Sequence, residues 1–178
     1  MAAQEDRGLC WPARRHGKLS AGLNHSLAIT ADGSVWSWGG GARGTLGHGD
    51  EQRQLLPKKV EALAGRGVVA VSAGYAGHAA IGHSLAVTAD GAVWSWGYGG
   101  AGRLGHGDEQ RQPLPKKVEA LAGQRVAAVS AGGDHNIALT ADAAIVTWGK
   151  SETGCLGHGE DQPHQMLPKK VEAWGLGQ

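Results

Sequence analysis

The chain has 178 residues, 41% of them apolar, enough to bury a core. Its 17 basic and 16 acidic residues leave a formal net charge of +1, so no global field draws it onto nucleic acid, an anionic membrane or an acidic substrate. Glycine is heavily used, at 31 residues, phenylalanine is absent, and seven tryptophans carry most of the aromatic mass, a bias toward tight turns.

Residues 1–18 include Glu5, Asp6, Arg14 and Arg15, hold no apolar run of signal-peptide length, and read as a short disordered leader. No window reaches the ~18 consecutive apolar residues of a membrane span. Cys10 and Cys155 stand in different contexts without metal-ligand spacing, which fits a reducing compartment. The expected location is intracellular, cytoplasmic or nuclear.

From Leu19 the chain passes three times through one pattern, over about 19–65, 66–123 and 124–174. In the first pass a strand remnant, Lys18 to Ala21, precedes a hairpin. His25-Ser26-Leu27-Ala28-Ile29-Thr30 alternates large apolar with small residues, Asp32-Gly33 supplies the turn, and Ser34-Val35-Trp36-Ser37-Trp38 returns with both indoles on one face. Leu46-Gly47-His48-Gly49 follows, then Asp50-Glu51-Gln52-Arg53, then a Pro-Lys-Lys-Val-Glu-Ala segment that reads as a fourth strand. The second pass opens on a strand from Val68 to Ala73 and repeats the hairpin from His83 to Gly97 around Asp90-Gly91. It carries about six extra residues before His83, where Gly77 to Ile81 nearly duplicates Gly82 to Leu85, and should bulge as a loop or shift register. The third pass runs from Arg125 to Ala131 and through the hairpin from His135 to Gly149, with Ala143 in place of the turn glycine and Val146 in place of the first indole. Four short strands per pass, rich in Ala, Ser and Val, suit the blade of a propeller or a similar radial stack.

Together, Gly-x-x-His-Ser/Asn-x-Ala-Ile/Val/Leu-Thr, Asp-Gly-x-Val-Trp-Ser-Trp-Gly, Gly-x-Leu-Gly-His-Gly and Pro-x-x-Val resemble the regulator of chromosome condensation repeat over about Leu19 to Ala173. The resemblance implies a β-propeller, usually seven-bladed in that family. Its members serve as guanine-nucleotide exchange factors for the small GTPase Ran, as chromatin-binding proteins, as domains of ubiquitin ligases and as plant light receptors. Three passes fall short of that ring. The expected fold is therefore all-β, a partial propeller of about three four-stranded antiparallel blades forming an open arc. There is no inserted wedge-like hairpin of the exchange-factor kind. The tryptophans stand in the Val-Trp-Ser-Trp-Gly strand and not beside Gly-x-x-His, which argues against a light receptor.

The repeated histidines His48, His106 and His158 invite a metal reading, but blade equivalents are normally held well apart by rotation, while zinc ligands must lie within about 2.0–2.2 Å of one ion. They read as ties from loop to strand, and His25, His83 and His135 as strand-end imidazoles bonded to backbone. The glycine-rich stretches at 39–44 and 97–102 lack the Lys-Ser/Thr and helix of a phosphate loop, so no cofactor is expected. Two surface features remain as candidates. One is the connection holding Asp50, Glu51 and Arg53, repeated as Asp108, Glu109 and Arg111, the first choice for contact with a partner. The other is a basic stripe from Lys58, Lys59, Lys116, Lys117, Lys169 and Lys170, which reads more simply as edge-strand protection. No nucleophile, base and carboxylate stand in a catalytic order.

The reading is a non-enzymatic protein-interaction scaffold whose partner would be a small GTPase or a chromatin protein, with direct nucleic-acid binding not expected. Two alternatives stand beside it: an exchange factor for a Ran-like GTPase, and a fragment of a longer propeller without autonomous function. Self-association through open blade faces is a further expectation.

Overall fold

The computed structural model describes residues 18–76, 81–159 and 164–172. The proposed leader and the duplicated histidine His78 lie outside them. Three four-stranded antiparallel sheets follow one another along the chain, each a simple meander. Sheet 1 is β1 (Leu19–Ala21), β2 (His25–Ile29), β3 (Val35–Gly39) and β4 (Gln54–Lys59). Sheet 2 is β5 (Val68–Ala76), β6 (Ile81–Thr88), β7 (Val93–Gly97) and β8 (Gln112–Lys117), and sheet 3 is β9 (Val126–Ala131), β10 (His135–Thr140), β11 (Ile145–Lys150) and β12 (His164–Lys170). These are three blades of a propeller in an open arc, with β1, β5 and β9 as neighbours along the inner side. Among the described residues no helix is long and apolar enough to cross a membrane.

The alternation read in the hairpins decides which face packs where. Leu27, Ile29 and Val35 point from sheet 1 to sheet 2, where they meet Ala73, Ala86 and Trp96. Leu85, Val87 and Val93 point from the other face of sheet 2 to sheet 3, where they meet Ala138, Val146 and Trp148. Each core lies between sheets, not within one. The indoles do share a face, as expected: Trp36 is opposite Ala28 and Trp38 is opposite Ser26 in the antiparallel register.

The fourth strand departs from the sequence reading. It starts earlier, at Gln54, Gln112 and His164, and stops at the second lysine. Val60 then donates its N–H to the Val35 carbonyl, and its side chain is fully buried in the inter-sheet core. Glu61–Leu63 forms a short 3-10 turn that buries Leu63 as well, and Glu119–Leu121 repeats this. Burial of these residues overrides the extended propensity of the segment. The extra residues of the second pass do not shift the register either. His83 faces Gly97 as His25 faces Gly39, and the added length prolongs the β5–β6 hairpin through Tyr75↔Gly82 and Ala76↔Ile81.

Polar side chains stitch the sheets together. His25 Nε2 meets Ser84 Oγ at 3.0 Å and His83 Nε2 meets Asn136 Oδ1 at 2.6 Å, so these imidazoles bond across to the next sheet, not to backbone as the sequence suggested. The indole N–H of Trp96 donates to the Thr45 carbonyl at 2.9 Å, and that of Trp148 to the Arg103 carbonyl at 2.9 Å. Ser84 and Asn136 donate to the same two carbonyls. Burial lowers both His25 and His83 to about 4.

These histidines make stability pH-dependent. Their folded pKa lies below the ordinary value of 6.5, so the unfolded chain takes up the protons first as pH falls. Stability is full above that value and drops between pH 6.5 and about 4, by about 1.4 kcal/mol per pH unit for each histidine titrating in the unfolded chain alone. Urea unfolding across this range checks it: His25→Gln with His83→Gln should lower stability at pH 7 and flatten the slope, and an unchanged slope refutes the assignment.

The hairpin turns give a second test. Gly91 has φ +84°, and a Cβ there would lie 2.9 Å from the Arg125 Cα and the Val126 N at the start of sheet 3. Ala143 holds the same place in sheet 3 with φ 64°, where among the described residues no further sheet follows. The alanine therefore carries the left-handed strain but not the collision. Gly91→Ala should cost at least about 1–2 kcal/mol, while Ala143→Gly should stay within about 1 kcal/mol of the parent because relief of strain is offset by a freer unfolded chain. Equal effects in urea titrations would contradict this account.

Candidate functional site

The long β3–β4 connection and its equivalents lie along one rim of the arc, one to each sheet. Each begins at a positive φ that glycine alone readily adopts, +102° at Gly39, +104° at Gly97 and +108° at Gly149, and turns through the Gly-x-Leu-Gly-His-Gly segment. Inside it, Ser37, Ser95 and Thr147 each donate to the carbonyl of Leu46, Leu104 or Leu156 and lie 3.0 Å from Nε2 of His48, His106 or His158. These histidines thus tie loop to strand. Burial lowers His48 and takes His106 to about 4, with Lys58 and Lys116 adding to the effect. Among the described residues no cluster of three or more His, Cys, Asp or Glu side chains could hold a metal ion.

The candidate loop residues divide into two kinds. Asp50 and Asp108 accept the N–H of Gln52 and Gln110 and fix the turn. Glu109 accepts the Ala101 N–H at 2.9 Å, closing its own loop. Glu51 and Arg111 reach across from sheet 1 to sheet 2 in an exposed pair at 2.6 Å, and Arg53, two residues on from Glu51, is exposed. Such a pair in water adds little stability, at most about 1 kcal/mol, and leaves both groups available to a partner.

The lysines are placed differently. Lys58, Lys116 and Lys169 stand opposite Ser37, Ser95 and Thr147, whereas Lys59, Lys117 and Lys170 stand opposite Trp36, Trp94 and Val146. Neighbouring lysines therefore leave opposite faces of the outer edge strands β4, β8 and β12, and the six do not fall in one row. Lys117 also pairs with Glu119 at 3.8 Å.

A cluster that sequence reasoning passed over sits on the same rim. The Arg103 guanidinium, almost fully buried, donates to Asp134 of sheet 3 and lies 5.0 Å from the centre of the Tyr98 ring, which Arg43 approaches at 5.6 Å from the sheet 1 loop. Burial alone would raise Asp134, but the Arg103 hydrogen bond and charge prevail and hold it below the ordinary carboxylate range. The signal was a departure from the repeat: Arg103 stands where the other passes have Thr45 and Cys155, and Tyr98 where the first has Gly40. The rim is mixed in charge, aromatic at its middle and carried on rigid sheets, an arrangement suited to contact with a macromolecular surface.

Comparison with known proteins agrees with this architecture. Models of the regulator of chromosome condensation (RCC1) repeat match residues 32–81 and 90–139, and a second model of the same repeat matches 18–45 and 126–155. The human E3 ubiquitin-protein ligase HERC2 is 42% identical over 154 residues, covering 86% of this chain and 3% of that protein. The ultraviolet-B receptor UVR8 of Arabidopsis thaliana is 37% identical over 156 residues, covering 88% of this chain and 34% of that protein. The chain thus spans about a third of one of these relatives and a small fraction of the other. Among solved structures, yeast RCC1 (Prp20) bound to Kap60 superposes with a TM-score of 0.76 at 24% identity, covering 89% of this chain and 37% of that one. Human WBSCR16 superposes with a TM-score of 0.73 at 26% identity, covering 86% of this chain and 37% of that one. With one model of the repeat matching more than half of the chain and a second matching both ends of the described arc, the chain belongs to the regulator of chromosome condensation repeat family.

Proposed function

We propose that the chain is a protein-interaction scaffold that presents the β3–β4 rim to a small GTPase or a chromatin protein. The observation that carries the reading is the division of labour among polar groups. Buried ones such as His25, His83, Ser84 and Asn136 hold sheet to sheet, while Arg43, Glu51, Arg53 and Arg111 stand outward on one rim. Loops on a rigid scaffold are where binding residues concentrate. Related structures add to it: yeast RCC1 (Prp20) is bound to Kap60, and Prp20p of Saccharomyces cerevisiae has binding properties to Gsp1p and histones. In this reading the scaffold works by placement, not by turnover.

The test is biolayer interferometry of the purified chain against a Ran-class GTPase and against core histones, with release of fluorescent GDP followed in parallel. Binding to one of the two is expected without faster GDP release. Arg53→Glu with Arg111→Glu should weaken it at least about tenfold, or about 1.4 kcal/mol, without loss of the folded state. Binding to neither, or binding indifferent to the double variant, overturns the proposal.

A further inference from the structure

The seam between sheets is built twice within the chain from the same positions, and among the described residues each end of the arc carries one unpaired half of it. In the seam, the indole and the polar residue opposite it seek the carbonyl in the third slot before the repeated histidine: Trp96 and Ser84 at Thr45, Trp148 and Asn136 at Arg103. The indole rests on a glycine that leaves room for it. A Cβ on Gly47 would come within 2.9 Å of Trp96 Nε1, and one on Gly105 within 3.0 Å of Trp148 Nε1. Below it, Ala73 N–H donates to Ser20 Oγ at 3.0 Å and Ala131 N–H to Ser72 Oγ at 2.9 Å. On the outer side, Gly49 N–H donates to the Pro113 carbonyl at 2.9 Å and Gly107 N–H to that of Met166 at 3.1 Å.

The next register of this pattern exists, but its two halves lie at opposite ends of the molecule. Sheet 3 offers the carbonyl of exposed Cys155, the glycine seat Gly157, Ser130, Gly159 and the half-buried His135, above an apolar face where Ile137 and Leu139 are 38% and 39% exposed. Sheet 1 offers Trp38, Ser26, the N–H of Ala21 and the Leu55 carbonyl, with Leu55 itself 80% exposed. The corresponding residues inside the arc are covered: Leu85 and Val87 are buried, and Trp96 is fully so.

We propose that a second copy of this chain occupies the open face, with sheet 1 of one copy docking on sheet 3 of another by the same seam that joins the sheets internally. His135 then meets Ser26 of the next copy, Trp38 and Ser26 of that copy donate to the Cys155 carbonyl, and Ala21 N–H reaches Ser130. The contact is heterologous, so copies add head to tail, into a ring where the rotation closes and an open filament where it does not. It draws on the β11–β12 connection at Cys155, Gly157 and Gly159 and leaves the Glu51–Arg111 and Arg103–Asp134 pairs between the internal sheets unchanged, so it is tested separately from the partner proposed for the rim.

Sedimentation velocity of the full chain should show mass rising with concentration. Trp38→Glu and Leu139→Glu lie outside both buried cores, and each alone should weaken association at least about tenfold. Their mixture should form a one-to-one dimer, because each variant retains the half that the other lacks. A parent chain that stays monomeric at every concentration, or a mixture that does, overturns the proposal. A cross-link gives an independent reading. The third slot faces the residue before the strand histidine, His83 or His135, of the next sheet: Arg103 pairs with Asp134, and a Cβ at Gly82 would lie 3.1 Å from Thr45 Cγ2. By the same register Cys155 faces position 24 of the next copy. In a Cys10→Ser background, Asn24→Cys treated with oxidised glutathione should give disulfide-linked dimers that Cys155→Ser abolishes, and absence of the link sinks the assigned register.

Discussion

The molecule depends on one carbonyl per seam. Thr45 and Arg103 each turn their C=O inward to accept both an indole N–H and a neutral side-chain donor from the following sheet. A buried indole N–H without a partner costs on the order of 1–3 kcal/mol, and replacing a packed indole by alanine costs about 3–5 kcal/mol. Satisfying that N–H at a fixed backbone atom lets the ring act as both the largest packing element and the register pin between sheets. The positive-φ glycines Gly47 and Gly105 follow from this, because a side chain there would occupy the space of the ring.

The matched family unit reflects the same constraint. Residues 32–81 run from the β2–β3 turn through β3, β4 and β5 into β6, joining the outer half of one sheet to the inner half of the next. That segment contains Val60, Leu63 and Val68, which fill the inter-sheet core from the connection itself. A sheet alone buries neither face. The unit of cohesion is the seam, and the sequence repeat is phased to it and not to the sheet.

What could be read from residues alone was what local chemistry decides. The Asp-Gly turns, the strand alternation and the shared indole face depend on neighbours within about ten residues of one another, and the structure has them where the pattern put them. The third-pass alanine was visible as well, although its tolerance rests on the lack of a following sheet among the described residues. The end of the fourth strand was not legible, because Val60 leaves the ladder to fill a core contributed largely by the next sheet. The partners of His25 and His83 lie 59 and 53 residues away, beyond any local pattern. The basic stripe failed as a row for a simpler reason: in a strand, adjacent residues must leave opposite faces.

The third slot explains how such a unit can diverge without unfolding. Cohesion there uses the backbone oxygen, so the side chain is free to vary: Thr45 bonds its own loop at Gly40, Arg103 crosses to Asp134, and Cys155 turns its thiol toward the Lys150 carbonyl. Three different chemistries sit on one conformation, each next to the rim. The same holds for Ser84 and Asn136, which exchange a hydroxyl for an amide while keeping a donor for the carbonyl and a partner for the histidine. Because the fold draws on main-chain atoms and on interchangeable donors, substitution at these slots alters the surface presented by the rim while leaving the seam intact, and a repeat copied for stability can be retuned for recognition one loop at a time.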